Sequence, residues 1–287
     1  MNNAIEIKGL CKHYPDFSLE GVSFSVPRGS IVGLVGENGA GKSTTIKAVL
    51  DLIRPDGGEI SLLGQDSRRV DRAMRAQLGV VMDNCGFHDN LTYKDINKIM
   101  REVYGGDWDA ALFEQYRERF KLPGDKRVKE YSRGMKQKLA IAVALSHHAK
   151  LLILDEATSG LDPVIRDEIL DLLLEFIQDE EHAVLISSHI ISDLEKIADY
   201  IVFLHQGRVI FSENKDDLIY NYGVVKCSEE DYRAMDKSHA VAMRKNAYSC
   251  EVLIDNKGEF ERRNRNLVVD ATTIEDIILF NVRGERI

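Results

Sequence analysis

The residues best suited to chemistry are Gly36-Glu37-Asn38-Gly39-Ala40-Gly41-Lys42-Ser43-Thr44. A glycine, four residues, then glycine, lysine and a hydroxyl is the spacing of a loop that wraps phosphate groups. Gly36, Gly39 and Gly41 permit the tight backbone that turns N–H groups inward, and Asn38 and Ala40 complete the loop. Lys42 would reach the β- and γ-phosphates of a nucleoside triphosphate, and the Ser43 hydroxyl would ligate Mg²⁺. Thr44 continues into a helix whose positive dipole end adds to the attraction. A second segment, LLILDEATSGLD at 151–162, puts two acids at the end of an apolar strand. Asp155 suits the Mg²⁺ water shell, and Glu156, just outside the strand, suits a general base polarising the attacking water. Two acids after an apolar strand are common alone and gain meaning only downstream of a phosphate loop.

Such a site needs a strand, a turn and a helix in that order, with a neighbouring parallel strand to carry the acids. IVGLVG (31–36) is a short apolar run ending in glycine, and from Lys42 onward Ile46, Val49, Leu50 and Ile53 follow helical spacing. The first thirty residues alternate in strand-like pieces, and ISLLG after DGGE is another strand. Residues 84–148 read mainly as helix, with His147 and His148 lacking zinc partners and Trp108, Tyr104 and Phe113 packing internally. LLILD, AVLIS (183–187) and YIVFL (200–204) read as buried strands. Between them RDEILDLLLEFIQD buries Ile169, Leu172, Leu173 and Phe176, and SDLEKIAD is a second helix. His205-Gln206-Gly207-Arg208 reads as a hairpin turn. The alternation predicts an α/β fold with a mostly parallel sheet covered on both faces.

The pattern loosens after residue 212. The tail from Glu213 carries 15 acids against 12 bases, holds strand-like pieces, and ends in a helix opened by Thr272-Thr273-Ile274-Glu275. We therefore divide the chain into 1–212, with a helical subdomain at about 84–148, and an accessory α+β domain at 213–287. No tandem repeat is evident.

Composition narrows the function. The chain has 287 residues, 44% hydrophobic and 30% charged, as a globular protein with a sizeable core requires. Its 47 acids against 38 bases give a net charge of −9, which argues against a nonspecific nucleic-acid or anionic-membrane binder. No apolar run is long enough to cross a bilayer and MNNAIEIKGL is no secretory signal, so a cytoplasmic chain is expected. Cys11, Cys85, Cys227 and Cys250 lack metal-ligand spacing and read as reduced packing thiols.

Taken together, residues 3–212 resemble the nucleotide-binding subunit of an ATP-binding-cassette (ABC) transporter. Tyr14 occupies the place of the aromatic that stacks on adenine. Tyr131-Ser132-Arg133-Gly134-Met135 stands where the family carries its LSGGQ signature. Ser159-Gly160-Leu161-Asp162 resembles the D-loop, with Asp162 at the nucleotide interface, and Ser187-Ser188-His189 the switch segment, with His189 on the γ-phosphate. The resemblance implies a P-loop NTPase core, an antiparallel β subdomain and a helical signature subdomain. It also implies a composite site: ATP on the phosphate loop of one subunit is sealed by Ser132 and the Gly134 N–H of another.

Two departures stand out. Arg133 replaces the first signature glycine, and Met135 the glutamine. Asp83, in LGVVMDN (78–84), replaces a glutamine that reaches the metal and attacking water; an aspartate still offers Mg²⁺ an oxygen. The expected function is a cytoplasmic ATPase subunit held at the inner face of the membrane by separate transmembrane permease subunits. It would pair with a second copy or a homologous subunit and drive transport, with DNCGFHDNLTYKD as the contact surface and export favoured by length and tail. The rivals are a soluble ABC-type ATPase acting on ribosomes, DNA or cluster assembly, and a nucleotide-sensing structural subunit. Against the first stand the absence of a second cassette and of long insertions; against the second stand Lys42, Asp155, Glu156 and His189.

Overall fold

The computed structural model describes residues 3–83, 85–245 and 249–287, so Asn84, within the expected contact surface, lies outside the described residues. β1 (Asn3–Tyr14) and β2 (Phe17–Pro27) form a long antiparallel hairpin. β3 (Ser30–Val35) follows and leads through the glycine-rich loop into α1 (Lys42–Val49). β4 (Gly57–Leu62) and β5 (Gln65–Asp66) return to the hairpin, giving the antiparallel order β2-β1-β4-β5. A short α2 (Arg72–Arg75) and β6 (Leu78–Val81) precede three helices, α3 (Tyr93–Tyr104), α4 (Ala110–Arg119) and α5 (Arg133–Leu145). Then come β7 (Leu151–Asp155), α6 (Pro163–Phe176), β8 (Ala183–Ser188), α7 (Ile191–Ile197), β9 (Tyr200–His205) and β10 (Arg208–Asn214).

The central sheet has the order β10-β9-β3-β8-β7-β6, parallel except for β10 at its edge. Its inner strands β3, β7, β8 and β9 are largely apolar because both their faces are covered, whereas the edge strand β10 is only partly buried. Ile31, Leu152, Leu154, Val184, Ile186, Ile201 and Phe203 enter the core shared with α3–α7. The alternate residues Val32, Leu34, Leu151, Ile153, Leu185, Val202 and Leu204 join α1 and the antiparallel sheet. Strand periodicity thus sends neighbours to opposite cores.

The helical region is less helical than its sequence pattern suggests, since residues 120–132 hold only a short turn at Val128–Glu130. The Tyr93 and Phe113 rings stack with centroids 4.1 Å apart, and Trp108 Nε1 donates to Asn97 at 2.8 Å. The buried His147 donates or accepts through Nδ1 at Ala76 O, 2.8 Å away, and stacks on Tyr104. α1 ends before Ile53, which is only partly buried, because Asp51 adopts a left-handed φ of 56°. Phe176, at the end of α6, is also only partly buried.

In the tail, α8 (Lys215–Asn221) leads to β11 (Gly223–Cys227), α9 (Glu229–Ala234), β12 (Ala240–Lys245) and β13 (Cys250–Ile254). α10 (Lys257–Arg263), β14 (Val269–Ala271), α11 (Ile274–Arg283) and β15 (Glu285–Arg286) complete it. Its antiparallel sheet has the order β14-β11-β13-β12-β15. Cys227 and Cys250, distant in sequence, stand opposite each other there as buried free thiols. The cap of α11 is Thr273 with Asp276, one residue on from the Thr272/Glu275 pair the sequence suggested. That shift lets Ile274, Ile277 and Ile278 turn inward, and the Ile274 N–H donates to Glu195 of α7 at 3.1 Å.

Candidate functional site

The glycine-rich loop owes its path to close backbone packing. A Cβ on Gly36 would lie 2.3 Å from the Leu204 carbonyl oxygen of β9, so no other residue fits there without moving a strand. Gly41 caps α1 with φ of 110°, a conformation side-chain-bearing residues avoid, and a Cβ would strike Leu19 and Phe17. Ala40 is buried beneath the loop and accepts from Gly207 N–H at 3.0 Å. The loop bounds a cleft of about 590 Å³, a volume typical of small-ligand sites. Asn38, Gly39, Gly41, Lys42, Ser43 and Thr44 line one side of it.

Lys42 is buried, yet its ammonium faces the loop. Nζ donates to Gly36 O at 2.7 Å and to Glu37 O at 3.3 Å, and lies 3.3 Å from Glu156 Oε1. The other oxygen of Glu156 is 2.6 Å from Nδ1 of His189. One carboxylate therefore joins the loop lysine to a histidine from the end of β8. Glu156 is held in the left-handed region, φ 53°, an uncommon conformation for a non-glycine residue that tends to concentrate at functional sites. Its N–H donates to both the hydroxyl and the carbonyl of Ser187, at 3.1 and 3.2 Å. The same hydroxyl donates to Asp155 Oδ1 at 2.6 Å. Asp155 is buried at the end of β7, behind the cleft wall rather than among its lining residues.

Opposite the loop stand Asp83 and Arg133. Arg133 Nη2 donates to Asp83 Oδ1 at 3.2 Å, so the two departures from the family pattern meet each other. Ser132 and Gly134 flank Arg133 but do not line this chain's own cleft. Ser132 is an exposed cap of α5, accepting from Met135 N–H at 3.2 Å. Gly134 is buried, and a Cβ there would sit 2.6 Å from Ile165 Cδ1 of α6. Asp162 caps α6, accepting from Val164 and Ile165 at 3.1 and 3.0 Å.

Tyr14 does not line the cleft; its ring is 43% exposed at the hairpin tip, with Lys12 Nζ 5.6 Å from its centroid. Phe17, its cross-strand partner, faces the loop instead, beside Asp16. Phe17 was missed in the sequence, although a second aromatic three residues on in a hairpin was the available signal. Ser187 was likewise read only as part of a segment.

Outside the cleft, burial pushes the Asp193 carboxyl of α7 up, and holds the His147 imidazole below its ordinary value of 6.5. No group of three or more His, Cys, Asp or Glu side chains forms a metal site among the described residues. Ser43 and Asp155 offer the hard oxygens Mg²⁺ prefers, and Mg²⁺ in nucleotide sites usually completes its shell with phosphates and waters. The residues fit an ion that arrives with its nucleotide.

A parallel sheet, a glycine-rich loop leading from β3 into a helix, and two acids at the end of β7 define a P-loop ATPase; β8 separates β7 from β3, so the acid strand is not the direct neighbour of the loop strand that the sequence suggested. Comparison with known proteins narrows the class. Residues 19–159 match the ABC transporter family. The bacitracin transport ATP-binding protein BcrA of Enterococcus faecalis is 35% identical over 221 residues, 76% of this chain and 71% of that one. The lantibiotic transport ATP-binding protein SrtF of Streptococcus pyogenes is 34% identical over 224 residues, 76% of this chain and 96% of its own. A solved ATP-binding subunit of an ABC transporter superimposes with a TM-score of 0.68 at 32% identity, covering 75% of this chain and 91% of that one. The chain belongs to the ABC transporter ATP-binding family, and is an ATP hydrolase of that kind.

Proposed function

We propose that this chain binds ATP·Mg²⁺ in the cleft and hydrolyses it as half of a head-to-tail pair, driving export through separate membrane subunits. The observation that carries this reading is the carboxylate of Glu156, set between Lys42 and His189 at the mouth of the loop. Lys42 and the loop N–H groups hold the β- and γ-phosphates. Glu156 takes a proton from the attacking water, and His189 orients that carboxylate and contacts the γ-phosphate. Mg²⁺, held by Ser43 and Asp155 with Asp83 nearby, would neutralise charge on the phosphates. Phe17, from the hairpin tip, borders the base, with the exposed Tyr14 beyond the cleft wall.

Ser132, the exposed cap of α5, does not line this chain's own cleft, and is free to serve the nucleotide of a second copy. ATP then acts as the adhesive between two chains, and hydrolysis releases them. Residues 1–212 would form the ATPase unit and 213–287 an accessory domain.

No helix among the described residues is long and apolar enough to cross a membrane, so the transport path would belong to partners. An apolar groove of about 540 Å³ between the sheet edge and α5 is lined by Leu52, Val80, Met82, Phe87, Tyr104 and Val143. Leu52 is 64% exposed there. We assign the groove to an apolar helix on the inner face of a polytopic subunit. The relatives named for bacitracin and lantibiotic transport favour an amphipathic peptide or drug-like cargo. Affinity purification from detergent-solubilised membranes tests the reading. A polytopic protein should co-purify, and Glu156→Gln should lock the ATP-bound chain as a dimer; ribosomes or DNA in its place would defeat it.

A further inference from the structure

The Arg133 guanidinium lies over a turn in its own chain. Gly160, at φ of 66°, lies against it so closely that a Cβ would come within 2.4 Å of Nη1. From there Nη2 reaches Asp83, and both residues line the cleft that holds Lys42 and Ser43. The ion pair is 56% exposed on each side, which makes it weak and cheap to exchange. A guanidinium binds phosphate through paired, charge-assisted hydrogen bonds that are stronger than an exposed carboxylate contact, and it stays charged at any physiological pH. Lys42, the other cation lining the cleft among the described residues, is already engaged with Glu156 and loop carbonyls. A triphosphate brings more negative charge than one lysine balances.

We propose that Arg133 leaves Asp83 for the terminal phosphate of the nucleotide bound to the same chain, acting as a phosphate-binding residue that distinguishes ATP from ADP. The inference rests on reading the cleft as a triphosphate site and adds a contact made within one chain, at the position where the family has glycine. Asp83 becomes the resting partner of the guanidinium.

The test compares Mg·ADP with Mg·ATPγS, a slowly hydrolysed triphosphate, by titration calorimetry on the full chain. Arg133→Ala should weaken ATPγS about tenfold and leave ADP within about twofold, and Arg133→Lys should recover part of the loss. Asp83→Asn should strengthen ATPγS, and that gain should vanish when combined with Arg133→Ala. An equal loss for both nucleotides, or none, overturns the proposal. Mixing Arg133→Ala with Lys42→Ala chains separates the two geometries, because the second chain carries Arg133 but an impaired loop. Recovery of tight ATPγS binding in the mixture would show Arg133 acting between copies and would also overturn it; no recovery supports it. If the unaltered chain binds neither nucleotide, the reading of the cleft itself fails instead.

Discussion

Nδ1 of His189 lies 2.6 Å from Oε2 of Glu156, while Oε1 of the same carboxylate lies 3.3 Å from Nζ of Lys42. Replacing Glu156 with Gln keeps the size of the group and removes its ability to take a proton. Hydrolysis in a single turnover, measured by rapid quench, should fall by about 10²–10⁴-fold. Nucleotide binding should persist. Unchanged turnover would remove Glu156 from the role of base.

Lys42→Ala should act on the other half of the chemistry. The ammonium is buried against loop carbonyls, and on the proposed phosphate contact its loss should weaken ADP and ATP about 10- to 100-fold. Fluorescent-nucleotide competition would measure this. Equal affinity in the variant would place the phosphates elsewhere.

The phosphate loop and the paired acids were legible in the sequence because their chemistry depends on short, contiguous spacing. Gly36 and Gly41 are recoverable for the same reason. Residues that act across distance were not. Arg133 and Asp83 each register as a departure, but their meeting depends on how α5 sits beside the end of β6. Phe17 lines the cleft wall where Tyr14 does not, and only the packing of the hairpin tip against the loop decides between the two aromatics. Cys227 and Cys250 become neighbours only through strand pairing in the tail, and periodicity does not encode which strands pair. The cap of α11 fell one residue from its expected place because burial of Ile274 and Ile277 decided between two adjacent threonines.

Gly134 carries a structural requirement apart from any interface. Gly134→Ala should cost about 1–3 kcal/mol in urea denaturation, since the new methyl meets Ile165 Cδ1. In an Ile165→Val background that atom is gone, and the same alanine should stabilise α5 by about 0.5–1 kcal/mol relative to glycine. Failure of the second change to rescue the first would show that the contact is not the cause.

His147 gives the fold a dependence on acidity. Burial holds its imidazole below 6.5, so on acidification the unfolded chain takes up a proton before the folded one. Its contribution to stability is complete above that value, declines as pH falls toward the depressed folded value, and levels off below it. His147→Phe keeps the stack on Tyr104 without a titrating group. Urea midpoints should drop with acidification in the parent and change less in the variant. Parallel curves would refute the assignment.

Val80 should test the groove. It is 37% exposed beside Met82 and Phe87, so Val80→Glu should leave nucleotide binding intact and abolish co-purification with the membrane subunit. Retained co-purification would move the docking surface elsewhere.

Ser187 stands opposite Asp155 in the parallel ladder, and its hydroxyl serves both that carboxylate and the Glu156 amide. Strand alignment in the middle of the sheet is thereby converted into the spacing between the two acids, Asp155 and Glu156. Slipping β8 by one residue would present Ile186 or Ser188, aimed at the opposite face, and would unhook both acids together.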